Sequence, residues 1–309
     1  MRKLSKAERF VLTKIEEDCR QPASRIAKEG RLSPEGVIKI IKRLEQNDIV
    51  KEYKTKCNYS KLGITIYRSY IKLKKKNAAT IEKIKKILGR HKCCPWHSFC
   101  EGEFDLRISI EINSAKGLGN MERLFVELDK YIAEKQMMIF LSAFSLSKTF
   151  IEKTRRKLFT VIGYNDNSSD LTDNETKLLK LLRSSPTIKI TEASEKLGIS
   201  LKTASKILKG LIKRQIITGF KSKINMANLG YLPYIALFAL DRYDSLDLEK
   251  LQAYCKNLSS VDYFIRGIGN YNIEVVMFAK TTNQFYETVN EIREKFPFIK
   301  KISTLIESY

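Results

Sequence analysis

The segment LSPEGVIKIIKRLEQNDIVKEY, residues 32–53, has a counterpart in GISLKTASKILKGLIKRQIITGF, residues 198–220. Val37, Ile40, Ile41 and Leu44 in the first, and Ala204, Ile207, Leu208 and Leu211 in the second, recur at helical spacing. Each set predicts a helix with one apolar side. The opposite side is basic: Lys39, Lys42 and Arg43 in the first, and Lys202, Thr203, Ser205, Lys206 and Lys209 in the second. Ser33 and Ser200 stand where helix N-caps belong, and Pro34 suits a first helical position. The stretches that follow, DIVKEYKTKCN and QIITGFKSKIN, each read as two short strands joined by a turn, the wing of a winged helix-turn-helix.

Working outward, a shift of 167 positions lays LSKAE at Leu4 on LTDNE at Leu171, Gly63 on Gly230 and Gly102 on Gly269. A self-match at so long a period means a repeated unit. Each copy opens on a capping box, Ser5 with Glu8 and Thr172 with Glu175, before a helix whose inner side is Val11, Leu12 and Ile15, or Leu178, Leu179 and Leu182. A short second helix follows in each. Residues 1–57 and 171–225 are therefore expected to be winged helix-turn-helix domains.

Beyond them the period changes. ITIYRSYIKLK and LPYIALFAL read as strands, followed by helices carrying Ile81, Ile84 and Leu88, or Leu248, Leu251 and Cys255. Two further strands flank EGEFDLRISI (101–110) and GIGNYNIEVVM (from Gly267); a helix and a last strand complete the order βαββαβ, the ferredoxin-like motif, over 58–150 and 226–309. The repeat register is expected to drift near INSAKGLGN, and TRRKLFTVIGYNDNSSD to be a linker, at 151–170. The fold class predicted is α+β, with two winged helix-turn-helix and two ferredoxin-like domains.

The 309 residues include 57 Lys and Arg against 35 Asp and Glu, a formal net charge of +22 that attracts polyanions. With 43% hydrophobic residues the chain can bury proper cores. No apolar run has the length of a signal peptide or a membrane span, so a cytoplasmic protein with no membrane partner is expected. The six cysteines are scattered and imply no disulfide framework.

The two winged segments, with GEFDLRISI and GNYNIEVVM after them, resemble the Lrp/AsnC family of prokaryotic transcription regulators, and the resemblance covers nearly the whole chain twice. It implies duplex DNA as partner, and paired effector domains that bind a small amino acid around a Gly-Asp-aromatic-Asp segment. Here that segment is Gly102, Glu103 and Asp105 in one copy, and Gly269 and Asn270, with Asn272, in the other. Two such domains in one chain look like a family dimer fused into an intramolecular pseudo-dimer, open to further oligomerisation. Lys39, Lys42, Lys202, Lys206 and Lys209 are expected at the phosphates, Thr203 and Ser205 near base edges, Lys54, Lys221 and Lys223 on the wings, and Ser33, Arg43 and Ser200 also among the DNA-binding residues. Glu35, Gly36 and Ile38 stand where the second copy has Lys202, Thr203 and Ser205, which predicts a non-palindromic site read more strongly by the second copy.

Sirohaem decarboxylases also resemble this family and occur as fused pairs, which gives the alternative reading, a tetrapyrrole enzyme. No catalytic signature is present: no phosphate-binding glycine loop, no G-x-S-x-G and no HExxH. HKCCPWHSFC (91–100) spaces Cys94, His97 and Cys100 by two, but residues three apart on a strand face opposite ways. The expectation is a regulator and not an enzyme, with no cofactor and no metal.

Overall fold

The computed structural model describes residues 3–148, 151, 157–163 and 168–308. In chain order the first half comprises α1 (Lys6–Glu17), α2 (Ala23–Gly30), α3 (Pro34–Gln46), β1 (Val50–Cys57), β2 (Thr65–Leu73), α4 (Ala78–Arg90), β3 (Trp96–Gly102), β4 (Leu106–Ile112), α5 (Ala115–Leu128) and β5 (Ile132–Leu146). A short strand β6 (Leu158–Ile162) follows. The second half comprises α6 (Asp173–Ser184), α7 (Ile190–Leu197), α8 (Leu201–Lys213), β7 (Ile217–Ile224), β8 (Leu232–Leu240), α9 (Ser245–Asn257), β9 (Val261–Gly269), β10 (Ile273–Ala279), α10 (Thr282–Lys295) and β11 (Ile299–Glu307). No helix among the described residues is long and apolar enough to cross a membrane.

The fold is mixed α+β, with winged helix-turn-helix and ferredoxin-like parts. The expected drift in register is not found: α5 and α10 begin and end 167 positions apart, as α1 and α6 do. INSAKGLGN is accommodated because its Ser114 caps α5 just as Thr281 caps α10, so glycines 117 and 119 lie inside the helix.

Two compact units form, and they group like with like. Met1–Leu62, Phe144–Val161 and Asn167–Tyr231 make one; Gly63–Ala143, Ile162–Asp166 and Leu232–Tyr309 make the other.

In the first unit both capping boxes close as the sequence implies, and Val11, Leu12 and Ile15, like Leu178, Leu179 and Leu182, are buried. The wings differ from expectation. β1 and β7 are each one continuous strand, and they pair with each other antiparallel, Tyr53 opposite Ser222 and Lys54 opposite Lys221. The reason is reciprocal satisfaction of the backbone: Asn58 N–H donates to the Ile216 carbonyl (3.0 Å) and Asn225 N–H to the Ile49 carbonyl (2.8 Å). β1 also contributes to the core beneath α6, α7 and α8, with Cys57 packed among Leu178, Leu182, Ile216 and Phe220. The expected linker is likewise part structure. Within it β6 buries Phe159 and Ile162, and its backbone accepts from Tyr59 N–H (2.8 Å) and the Thr218 hydroxyl (2.8 Å). LFTVI alternates as a strand does, a signal outweighed by the polar residues around it. The rest of the expected linker lies largely outside the described residues.

In the second unit each copy has the ferredoxin-like strand order, β5-β2-β4-β3 and β11-β8-β10-β9. β3 pairs with β11 and β9 with β5, so eight strands close into a ring. The helices cover its outer face, where Ile71, Leu73, Leu106, Ile108 and Ile110 pack with Ile84, Leu88, Leu124 and Leu128. Burying each such side chain contributes about 1.5–3 kcal/mol.

The two joints explain the paired glycines. Gly102 (φ +130°) and Gly269 (φ +151°) adopt a backbone conformation that favours glycine, and a Cβ on either would press into a carbonyl of the adjoining strand, that of Thr304 or of Met137. Gly269→Ala is expected to destabilise the protein by about 2 kcal/mol or more. Gly89→Ala, where a Cβ meets nothing, should be neutral or slightly stabilising. Urea midpoints check both; equal midpoints for the two variants would contradict this reading of the joints.

Candidate nucleic-acid interface and a buried charged cluster

α8 is built to show its basic side. Ser200 accepts from Thr203 N–H (3.1 Å) and its hydroxyl meets that of Thr203 (2.8 Å), so both residues serve the cap at the end nearest Lys202. Ala204 and Leu211 are buried behind. Lys202, Thr203, Lys206, Lys209 and Lys213 are exposed, with Ser205 half-buried beside them, and the helix carries no acid. Its 13 residues span about 20 Å, enough to lie in a major groove.

α3 has the same support and a weaker surface. Ser33 caps it by accepting from Gly36 N–H (3.0 Å), Val37, Ile40 and Leu44 are buried, and Lys39 and Lys42 are exposed. Arg43 is tied to the capping-box carboxylate of Glu8 at 3.1 Å. Glu35 and Glu45 add negative charge, while Ile38 is exposed.

The wing residues divide. Lys54 and Lys223 are partly exposed, both reaching Glu52 (3.3 and 3.0 Å). Lys221 is corrected: it is buried, bonded to Glu16 (2.8 Å) and to the Leu146 carbonyl (2.9 Å), and does not face a duplex. Both faces of β7 are covered at this point, Phe220, Lys221 and Ser222 all being buried, because the strand pairs with β1 where a solvent-facing hairpin was expected.

The expected effector residues are mostly structural. Asp105, buried, accepts from Leu73 N–H (2.9 Å) and lies 3.3 Å from Lys72. Asn272 does the same for Leu240 N–H (2.8 Å). Gly102 and Gly269 serve the strand joints, and Asn270 donates its N–H to the Met137 carbonyl (3.3 Å). Glu103 is partly exposed, paired with Lys301 (2.8 Å) and accepting from the Tyr271 hydroxyl (3.2 Å). Burial alone would raise its pKa, but these partners hold it below the usual carboxylate range. Only Glu103 of this set keeps an accessible charge.

The ring's other face holds a cluster that the sequence reading missed. Arg107 on β4 and Glu274 on β10, one repeat apart, are both buried and meet at 2.8 Å. Glu274 also accepts from the Tyr70 hydroxyl (2.6 Å) and lies 3.3 Å from the Arg68 guanidinium, unaligned for a hydrogen bond. Glu307 reaches Arg107 at 3.3 Å. The Arg68 guanidinium stacks over Trp96 (4.5 Å) and near Phe140 (5.2 Å). Burial pushes the Glu274 carboxyl up, but Arg68 and Arg107 outweigh it and hold it below the ordinary range. A signal was available: a charge in the middle of an apolar strand, LRISI and IEVVM, of opposite sign in the two copies.

The cysteine and histidine stretch does not converge on a centre. His97 pairs across β3 and β4 with Ile108, on the helix-covered face, while Trp96 and Ser98 share the face of Arg107. Burial and Lys85 lower the His97 pKa, and burial pushes the Cys94 thiol up to about 12. Among the described residues no group of three His, Cys, Asp or Glu side chains is placed to hold a metal ion.

A winged helix-turn-helix DNA-binding family model matches residues 171–218, which take in α6, α7 and α8. No curated protein matches the sequence at a significant level. Among solved structures, the siroheme decarboxylase NirDL is 15% identical, aligned over 98% of this chain and 91% of its own, with a TM-score of 0.64. Its complex with an iron-uroporphyrin III analogue matches at 14% identity with the same coverage and a TM-score of 0.63. AsnC of E. coli, 15% identical, is aligned over 45% of this chain and 93% of its own, with a TM-score of 0.38. At such identities the likeness to NirDL establishes the fold alone. That fold, over nearly the whole chain, is one an enzyme uses, so the expectation that this chain is not an enzyme does not stand.

Proposed function

We propose that the protein is a sequence-specific DNA-binding regulator in which one chain, a fused tandem pair, presents α3 and α8 to one duplex, with α8 dominant. The carrying observation is the exposed, acid-free lysine face of α8 inside the region matched by a DNA-binding family model. Lys202, Lys206 and Lys209 meet phosphates; Thr203 and Ser205, at the helix start, lie nearest base edges. The reciprocal bonds of Asn58 and Asn225 support a pseudo-two-fold arrangement of the two heads. Unequal helices on such a frame select an imperfect inverted site.

Because each neutralised phosphate releases counterions, affinity should fall steeply with salt, by about 10³-fold or more between 50 and 200 mM if six or more phosphates are met. Fluorescence anisotropy on a selected duplex measures the slope; a flat response would rule out the lysine assignment. An amino-acid effector at the Gly102 and Gly269 hairpins is not part of this proposal, since their polar groups serve the fold.

A second reading, tetrapyrrole chemistry, is favoured by one observation, the whole-chain likeness to NirDL with and without an iron-uroporphyrin III analogue. On this reading the Arg68 guanidinium, which faces Glu274 without an aligned hydrogen bond, is the group suited to a tetrapyrrole carboxylate, whereas Arg107 is already held by Glu274 and Glu307. Titration with iron-uroporphyrin III, followed by absorbance, separates the readings. Tight, saturable binding weakened by Arg68→Ala would favour the enzyme; no spectral change leaves the regulator.

A further inference from the structure

The second ferredoxin-like module carries a groove whose residues the first reproduces only in part. It is an open groove of about 1010 Å³ between one side of α9 and the segment joining α10 to β11. Ligand sites commonly occupy roughly 300–1,000 Å³. Its walls are Tyr254 and Phe298, linked through Phe296 by edge-on ring contacts at 5.6 and 5.8 Å. Around them stand Arg242, Lys250, Lys295 and Lys300, with the Lys295 ammonium 4.6 Å from the centre of the Tyr254 ring.

Two carboxylates also line the groove, and both are occupied. Asp247 closes a capping box with Asp244, and Asp241 lies 3.9 Å from Lys300. Positive charge is left in excess. At the equivalent places the first module keeps Lys75, Lys83 and Tyr131 for Arg242, Lys250 and Phe298, but has Ile87 for Tyr254, Leu128 for Lys295 and Ala133 for Lys300, so one ring and two cations belong to the second module alone. Arg242 also has a left-handed backbone, φ 52°, without a counterpart at Lys75 among the described residues. Such conformations are retained where the surroundings enforce them and gather at ligand clamps.

We infer that this groove binds an aromatic ring bearing a phosphate, a ligand of nucleoside-monophosphate type. The ring stacks against Tyr254 and Phe298, and the phosphate sits among Arg242, Lys250 and Lys295. An aromatic face and a cation cluster within one groove distinguish this ligand from a free anion, which needs no ring, and from a neutral base, which needs no lysines.

The test is isothermal titration of the full chain with AMP and phenyl phosphate, with adenosine and inorganic phosphate as separate arms. At least one aromatic phosphate should bind tenfold or more tightly than either adenosine or inorganic phosphate. Lys250→Glu with Lys295→Glu should weaken it at least tenfold and Phe298→Ala about fivefold, whereas Lys83→Glu in the first module should leave it unchanged. Circular dichroism confirms that each variant is folded. The inference is overturned if neither aromatic phosphate binds at millimolar concentration, if inorganic phosphate binds equally well, or if the charge reversals leave affinity unchanged.

Discussion

Glu274→Ala should cost about 3–5 kcal/mol of stability, because it leaves two guanidiniums buried without their shared carboxylate. Arg107 would keep the partly exposed Glu307 and the face of Trp96 (5.1 Å), and Arg68 its stacking on Trp96 and Phe140, but neither would keep a buried carboxylate among the described residues. The loss reflects stranded charge and not the net worth of the pair. Replacing Arg68, Arg107 and Glu274 together with apolar residues of similar volume should therefore recover much of it. The pH dependence has a definite sign. Since the folded-state pKa of Glu274 is held below its unfolded value, its contribution is complete above the ordinary carboxylate range and is lost as pH falls through the lowered pKa. Wild type should thus lose stability on acidification more steeply than Glu274→Ala. Denaturant midpoints at pH 7 and under acid conditions check this; a change below about 1 kcal/mol at pH 7 would mean that the cluster is solvated.

Reversing two charges on α8, Lys206→Glu with Lys209→Glu, should weaken duplex binding by about 100-fold or more at low salt. The change removes two attractive phosphate contacts and sets two repulsive ones against the backbone. The matching reversal on α3, Lys39→Glu with Lys42→Glu, should cost about tenfold, since Glu35 and Glu45 already weaken that face and Arg43 is held by Glu8. Single changes separate the roles: Lys206→Ala should lower affinity for all sequences alike, and Ser205→Ala should shift sequence preference. These residues are exposed or half-exposed, so folding should be preserved. Equal losses for the α3 and α8 reversals would remove the asymmetry from the account.

Much of the architecture was legible because local rules agree with one another. The capping boxes at Ser5 and Thr172, the helical spacing of Val37 to Leu44, and the alternation of LPYIALFAL each name one element without help from elsewhere. What stayed illegible depends on partners distant in sequence. Whether DIVKEYKTKCN folds back on itself or pairs with QIITGFKSKIN is decided by Ile49, Asn58, Ile216 and Asn225 together. Lys221 looks like any strand lysine until Glu16 and Leu146 are placed around it. From sequence alone the Gly102 and Gly269 motif suits a ligand loop, because glycine permits close approach by any group; here the group is a strand of the other module. Arg107 and Glu274 were passed over because each is a lone charge in its own strand.

The proposed function rests on α8 meeting DNA, and a hydroxyl-radical footprint of the chain on a duplex selected by the protein itself tests this most directly. Two unequal protected patches are expected, with the stronger one erased by Lys206→Glu and Lys209→Glu while the weaker one persists at higher protein concentration. Two equal patches, or protection indifferent to the α8 reversal, would contradict the account.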